Sequence, residues 1–196
     1  HQKFEDPLYL YWADKLGLLV WSELPSAYWL TDRQKRNMIR DLSEGIRRDY
    51  NHPSIIVWTP LNESWGVPAI QSHRESQQLN DCLYHLVHCL DGTRLVSGND
   101  GYEQAQTDIV TVHDYTAWPQ DLGPEYQSEE KLLCGAPSGK MITAEGYSHS
   151  GKPKLFTEFG GIAMKQDAGG DNWGYNGAVE DSQALLDRFG AITKGA

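Results

Sequence analysis

The sequence predicts an α/β fold, a parallel sheet with helices packed against its outside. Amphipathic stretches alternate with short, near-continuous apolar runs, and each apolar run ends in polar side chains. Parallel strands need helical crossovers and are buried on both faces, so the alternation and the unbroken apolar runs share one cause. Five strands are expected, near residues 19, 56, 96, 111 and 155.

In chain order, Pro7 to Leu16 spaces its apolar residues as a helix does, and Gly17 supplies a stop. Leu18 to Trp21 follows as a buried strand, closed by Ser22-Glu23-Leu24-Pro25. Thr31 can cap a helix that runs to about Tyr50 with its charges outward, and Asn51-His52-Pro53 breaks it. Ser54 to Thr59 is an apolar run that reads as a strand covered on both faces. A long amphipathic helix is expected over about Pro68 to Leu90, ended by Asp91-Gly92. Short strands at Arg94 to Ser97 and Asp108 to His113 come next. Thr116 to Gly151 is irregular and rich in Gly, Pro and Ser, with one helix near Glu125 to Leu133. Lys154 to Thr157 is the fifth strand; a glycine-rich loop follows, and Glu180 to Ile192 forms the last helix.

The 196 residues suit one domain, or an incomplete piece of a larger one. A hydrophobic share of 39% with 22% charged residues fits a packed globular chain rather than a disordered one. Aromatic residues reach 11%, and the usual burial preferences assign roughly two thirds of them to the core. The net charge of −10 and the lack of any basic stripe argue against nucleic acid. No run of about 18 apolar residues could span a bilayer, so no membrane partner is expected. Cys82 and Cys89 share a helix face at a separation of roughly 10 Å, too far for a disulfide. With Cys134 they read as reduced, partly buried thiols, which favours a cytoplasmic setting. No leader peptide is evident, although His1 is an unusual first residue.

In a parallel α/β fold the C-terminal ends of the strands gather on one rim, where active sites lie. The polar groups ending the five strands are Glu23, Asn62 with Glu63, Asn99 with Asp100, His113 to Tyr115, and Glu158. Glu63 follows a strand too apolar to lie anywhere but in the interior, and a carboxylate there is costly unless it points into a polar cleft. Glu158 stands the same way before Phe159-Gly160-Gly161, whose glycines let backbone approach a site closely or turn sharply. Each glutamate has a plainer alternative, a strand-end ion pair or a helix cap. Together they suit glycoside hydrolysis with retention. That reaction needs two carboxyl groups roughly 5–5.5 Å apart, one to attack the anomeric carbon and one to donate and then accept a proton. Neighbouring carboxylates can hold opposite protonation states, and no metal or cofactor is required.

The segments HQKFEDPLYLYWADKLGLLVW, RRDYNHPSIIVWTPLNESWG and KLFTEFGG resemble the catalytic barrel of glycoside hydrolase family 2. That family contains β-galactosidases, β-glucuronidases and β-mannosidases. The likeness continues through DGTRLVSGNDG, DIVTVHDY and DNWGY, and NHPSIIVW followed closely by Asn-Glu is its most specific part. The resemblance implies a (β/α)8 TIM barrel of which this chain carries strands three to seven with their outer helices. It implies a retaining β-glycosidase acting on a carbohydrate substrate, with Glu63 as acid/base and Glu158 as nucleophile. Asn62 would hydrogen-bond the sugar 2-hydroxyl, Tyr115 would orient Glu158, and His113 would line the sugar pocket. His113 also reads as a satisfied strand-end histidine, and Tyr115 as a core ring with a wet tip.

Trp65 and Trp173 could stack on sugar or simply pack. For Asn99 and Asp100, turn and capping roles are expected over catalytic ones. His52 reads as structural, on the opposite rim. No His-x-His or comparable metal-ligand cluster, phosphate loop or G-x-S-x-G elbow is evident. A full barrel takes about 250 residues, so the chain is expected to lack strands one, two and eight and the preceding β-sandwich domains. Open strand edges would pair with those missing parts or with another chain, and the piece alone is expected to have poor activity. The alternatives are a non-catalytic carbohydrate-binding or assembly fragment, and a metal-dependent barrel hydrolase.

Overall fold

A computed structural model of the chain describes residues 1–165 and 173–195. The Asp171-Asn172 part of the DNWGY segment lies outside them. The elements are α1 (Pro7–Leu16), β1 (Val20–Glu23), α2 (Asp32–Asp49), β2 (Ile55–Thr59), α3 (Arg74–Leu90), β3 (Leu95–Val96), β4 (Val110–Asp114), α4 (Glu129–Leu133), β5 (Lys154–Phe159), β6 (Ala163–Met164), β7 (Ala178–Val179) and α5 (Ser182–Gly195). Strands β1, β2 and β3 pair in that order, all parallel, and β4 pairs in parallel with β5. They form the predicted arc of five parallel strands, part of a barrel that does not close.

Between β3 and β4 the ladder is replaced by side-chain stitching. Asp108 accepts from the Val96 N–H at 2.8 Å and its own N–H donates to the Val96 carbonyl at 2.8 Å. Thr107 and Thr111 hydroxyls accept from the backbone of Gly98 and Gly101 at 3.0 and 2.8 Å. The backbone polar groups are thus satisfied although the two strands are not in register, as burial requires.

The helices form where local chemistry favours them. The Asp6 carboxylate caps α1 by accepting from Leu8 N–H, Pro7 occupies the first turn, and Gly17 closes the helix in the left-handed region at φ 75°. Thr31 caps α2 by accepting from Gln34 N–H. Met38, Leu42 and Ile46 of α2 and Leu79, Leu83 and Val87 of α3 recur every fourth residue, and all are buried against Ile55, Trp58 and Val96 of the sheet.

Several boundaries differ from those expected. β1 begins at Val20, because Leu18 and Leu19 are exposed on its approach. α3 begins at Arg74, since Pro68 to His73 forms turns and Ala69 takes φ 51°. The helix expected near Glu125 to Leu133 is split into a 3-10 turn at Pro124–Gln127 and α4, which Ser128 caps at Lys131 N–H. β2 is covered on both faces over Val57 to Thr59, as expected, and only Ile56 is exposed, at 39%. The three cysteines are exposed free thiols rather than partly buried ones. The aromatic residues do not chiefly fill the core either. Of the seven tryptophans only Trp58 is buried, and Trp12, Trp29, Trp65, Trp118 and Trp173 are exposed. No helix among the described residues is long and apolar enough to cross a membrane.

The lower end of the arc is anchored by one buried carboxylate. Asp91 accepts from Trp58 Nε1 (2.9 Å), Thr93 N–H (2.9 Å) and Arg94 Nη1 (2.6 Å). Arg94 also donates to the carbonyls of Ile55 and His52, tying β2 to the turn before it. Burial works against the charge, but Thr93, Trp58 and Arg94 all donate to it, and the carboxyl titrates well below the usual range. Asp91→Ala strands the Trp58 and Arg94 donors and is expected to cost about 3 kcal/mol in urea denaturation at pH 7. A depressed carboxyl stabilises fully above its unfolded pKa of about 4 and loses that contribution as the pH falls. The gap between wild type and Asp91→Ala should therefore narrow from pH 7 to pH 3.

Candidate active site

The upper ends of the strands converge on His113, as the gathering of polar strand ends predicts. His113 is buried, and its Nδ1 lies 2.8 Å from Glu63 Oε1 while its Nε2 lies 3.2 Å from Asp100 Oδ2. Glu158 Oε1 is 3.6 Å from the same Nε2. Burial disfavours an imidazolium, but the hydrogen bonds that its N–H groups donate to Asp100 and Glu63 outweigh it and push the pKa up to about 9. The ring is therefore a cation among three carboxyl groups at neutral pH.

Asp100 is the joint that the sequence reading missed. Its N–H donates to Leu61 O (2.9 Å), and its carbonyl accepts from Glu63 N–H (3.0 Å). Its carboxylate meets His113 of β4 and accepts from Thr157 Oγ1 of β5 at 3.0 Å. Far from a turn or cap residue, it links three strand ends. Asn99 makes one local bond, donating to Tyr102 O (2.8 Å), but it also accepts from Ser64 N–H (2.9 Å) on the loop after β2, so it too links two strand ends. The one available signal for Asp100 was its place on the rim, which a Gly-Asn-Asp-Gly stretch disguised as a turn.

Glu63 and Ser64 both adopt positive φ, 50° and 61°, which side chains resist at roughly 1–2 kcal/mol each. The bonds from Asp100, Asn99 and a Ser64 Oγ–Glu103 contact of 2.6 Å hold the pair in place. Such strain, over-determined by its surroundings, marks functional backbone. Asn62 is buried, and neither side-chain nitrogen nor oxygen finds a hydrogen-bond partner among the described residues.

Glu158 lies within β5, where a register shift after Val112 sets it, and not Thr157, opposite His113. This extra residue aims the carboxyl into the cleft, as bulges near active sites do. The Tyr115 hydroxyl donates to Glu158 Oε2, and Oε1 has no hydrogen-bond partner among the described residues. Burial raises the Glu158 pKa; Tyr115 and His113 act the other way, and Glu63 and Asp100 add to the rise. Tyr115 is itself pushed up by burial and by Glu158, so it stays a donor. Its ring stacks on Tyr175 at a 3.5 Å centroid distance, and Tyr175 packs over Gly161 so closely that a Cβ there would lie 2.4 Å from the ring. The Phe159-Gly160-Gly161 turn thus serves close approach.

A cleft of about 720 Å³ opens beside Glu158, lined among others by Trp21, Glu23, Asp100, Tyr115 and Tyr175. Glu23, expected on this rim, does line the cleft. Burial raises its carboxyl to about 7, the Gln2 N–H bond (2.5 Å) opposes this, and Asp100 adds to it. His1 reaches into the cleft as well, 3.0 Å from Glu23 and 3.1 Å from Glu158. Trp65 is 45% exposed beside Tyr28; Trp173 is 74% exposed and meets the edge of Tyr175, and neither lines the cleft. His52 pairs with Asp14 at 2.6 Å.

One ligand atom each from Glu63, His113 and Glu158 lie within 4.8 Å of one another. The sequence showed no such cluster, because its members come from three separate strand ends. The spacing would admit a divalent cation.

The family model described as glycosyl hydrolases family 2, TIM barrel domain, matches residues 5–183. The chain belongs to this family. It is 30% identical over 141 residues to a β-galactosidase of Thermoanaerobacter pseudethanolicus, covering 70% of this chain and 18% of that protein. It is 26% identical over 171 residues to a β-glucuronidase of Chlorocebus aethiops, covering 74% of this chain and 25% of that one. Among solved structures, Bacteroides uniformis β-glucuronidase 3 superposes with a TM-score of 0.60 at 25% identity, over 82% of this chain and 19% of that one. A family 2 β-galacturonidase from Eisenbergiella tayi shares the fold with a TM-score of 0.65 over 96% of this chain and 33% of its own, at 23% identity. The first curated relatives are spanned to only 16, 18 and 14% of their length. This family 2 chain is therefore a partial arc of the barrel fold and spans only a fraction of its relatives' length.

His113→Ala should destabilise the protein by about 3 kcal/mol near pH 6, since each pKa unit is worth about 1.4 kcal/mol. The sign follows from the raised pKa: the contribution is complete below about 6.5 and disappears as the pH rises through about 9. Urea denaturation of wild type and variant should differ clearly at pH 6 and much less at pH 10.

Proposed function

We propose that the chain carries the catalytic centre of a retaining β-glycosidase, with Glu158 as nucleophile and Glu63 as general acid and base. The observation that carries this reading is the approach of a Glu63 and a Glu158 oxygen within 4.8 Å, close to the roughly 5–5.5 Å that a double displacement needs. Glu158 lines the cleft, where its Oε1 meets His1 Nε2 at 3.1 Å and His113 Nε2 at 3.6 Å, and this is the carboxyl assigned to attack the anomeric carbon. Glu63 is not part of the cleft lining, and its side chain is a quarter exposed, where a leaving group departs and water enters.

In the first step Glu158 bonds to the anomeric carbon as the glycosidic bond breaks, and Glu63 gives the leaving oxygen the proton that it shares with His113 Nδ1 at 2.8 Å. In the second, Glu63 takes a proton from water, whose oxygen displaces Glu158 from the same carbon. Tyr115 and the His113 cation favour the ionised Glu158 that attack requires, against burial and the neighbouring anions. The unpartnered Asn62 amide suits the sugar 2-hydroxyl, a bond that strengthens as charge develops at the anomeric centre. The relatives are β-galactosidases and β-glucuronidases, so a terminal β-linked sugar of that kind is the proposed substrate. Binding alone would not call for two opposed carboxyl groups.

For the natural full-length protein, turnover of nitrophenyl β-glycosides should vanish in Glu158→Gln. In Glu63→Ala, kcat on a poor leaving group should fall about 10²- to 10⁴-fold and be rescued by azide. Proton NMR should show the β-anomer as first product. An α-anomer released first, or wild-type turnover by Glu158→Gln, sinks the assignment.

A further inference from the structure

We infer that Tyr28 and Trp65 form a leaving-group subsite for an uncharged ring with a flat apolar face, either an aryl group or the C–H face of a second pyranose. The inference rests on the reading of Glu63 as the acid/base. It goes beyond the sequence-based expectation for Trp65 by adding Tyr28 and by fixing the side of the scissile bond that the pair serves.

The two rings belong to different loops that are locked together. Tyr28 lies on the loop leaving β1 after Glu23, anchored by the Leu24 N–H to Thr59 O bond (2.8 Å) and by buried Leu24 and Ala27. Trp65 follows Glu63 on the loop leaving β2, and its N–H donates to Asn62 O at 3.0 Å. The loops touch at Gly66, which takes φ 80°; a Cβ there would stand 2.7 Å from the Ala27 Cβ, so only glycine permits the approach. That contact sets Tyr28 and Trp65 edge to face, centroids 5.6 Å apart at 79°. The pairing fixes the rings without covering them, and Tyr28 remains 77% exposed, with Trp29 beside it at 78%.

A rigid, uncovered aromatic pair beside a catalytic carboxyl is a stacking platform, since a sugar or aryl ring gains both apolar contact and dispersion there. Its side is set by exclusion. The sugar attacked by Glu158 occupies the cleft, and none of Tyr28, Trp29 or Trp65 lines that cleft. Trp65 instead stands two residues after Glu63, the group that protonates the departing oxygen, on the same loop and with its N–H bonded to Asn62 O. Neither loop, residues 24–31 or 64–70, carries a charged side chain, which selects a neutral ring.

The test compares kcat/KM of the natural full-length protein for methyl, phenyl and disaccharide β-glycosides sharing one terminal sugar, in galactoside and glucuronide series. Tyr28→Ala and Trp65→Ala should each lower the phenyl-to-methyl ratio about tenfold, and Tyr28→Phe should restore it. A parallel fall in the disaccharide-to-methyl ratio means any flat ring is accepted; a fall in one ratio alone identifies aryl or sugar as the occupant. Both ratios within about twofold of wild type overturn the subsite and leave the glycosidase reading intact. Wild type that turns over none of these glycosides overturns that reading instead. Saturation-transfer NMR then decides the subsite: transfer to leaving-group ring protons that both alanine variants lose supports it, and equal transfer in all three overturns it.

Discussion

The upper half of the molecule depends on one buried cation surrounded by carboxyl groups. A histidine taken out of water loses its charge unless something compensates, and here Asp100 and Glu63 each hold one ring nitrogen. The compensation works both ways. Without the imidazolium, Asp100, buried and shared among three strand ends, would have no positive partner. Because His113 sits on β4 and Asp100 closes the β3 end, the pair bridges the place where regular strand pairing is interrupted. The electrostatic joint and the gap in the ladder coincide, so the same contacts that hold the arc together set the distance between Glu63 and Glu158.

Stability and chemistry are separated along the strand axis. Below β3, Asp91 gathers Trp58, Thr93 and Arg94 into a fully satisfied network that fixes the turn after α3 to β2. Above it, polar groups are less completely paired: the Asn62 amide finds no partner among the described residues, and Glu158 Oε1 meets only the rings of His1 and His113. A buried network stabilises when complete, and a site binds when incomplete. The barrel architecture assigns these two duties to opposite rims, as parallel α/β folds do.

Local irregularities tune the upper rim. Two side chains in the left-handed region turn Glu63 and Ser64, and one register shift in β5 turns Glu158. Neither costs more than a few hydrogen bonds can hold, and both re-aim a carboxyl by a fraction of a turn. The exposed aromatics follow the same division. Tyr28 and Trp65 stand on the loops of the upper rim, while Tyr9, Tyr11 and Trp12 of α1 lie outward on the helix layer, which is why a high aromatic content does not translate into an aromatic core.

The sequence by itself determined the helix–strand order, the parallel sheet, the capping of α1 and α2, and the rim on which Glu63 and Glu158 stand. These follow from period, capping chemistry and the burial of apolar runs, all of which act over a few residues. It also supplied, through resemblance, the family to which the chain belongs. Only the tertiary structure decided that Asp100 is a joint rather than a turn residue, that burial pushes the Glu23 carboxyl up, and that His113 stands between Glu63 and Glu158. Those facts depend on which strand ends meet and by how many residues they are offset. A single added residue in β5 decides which side chain faces His113, and no local pattern of residues encodes that offset.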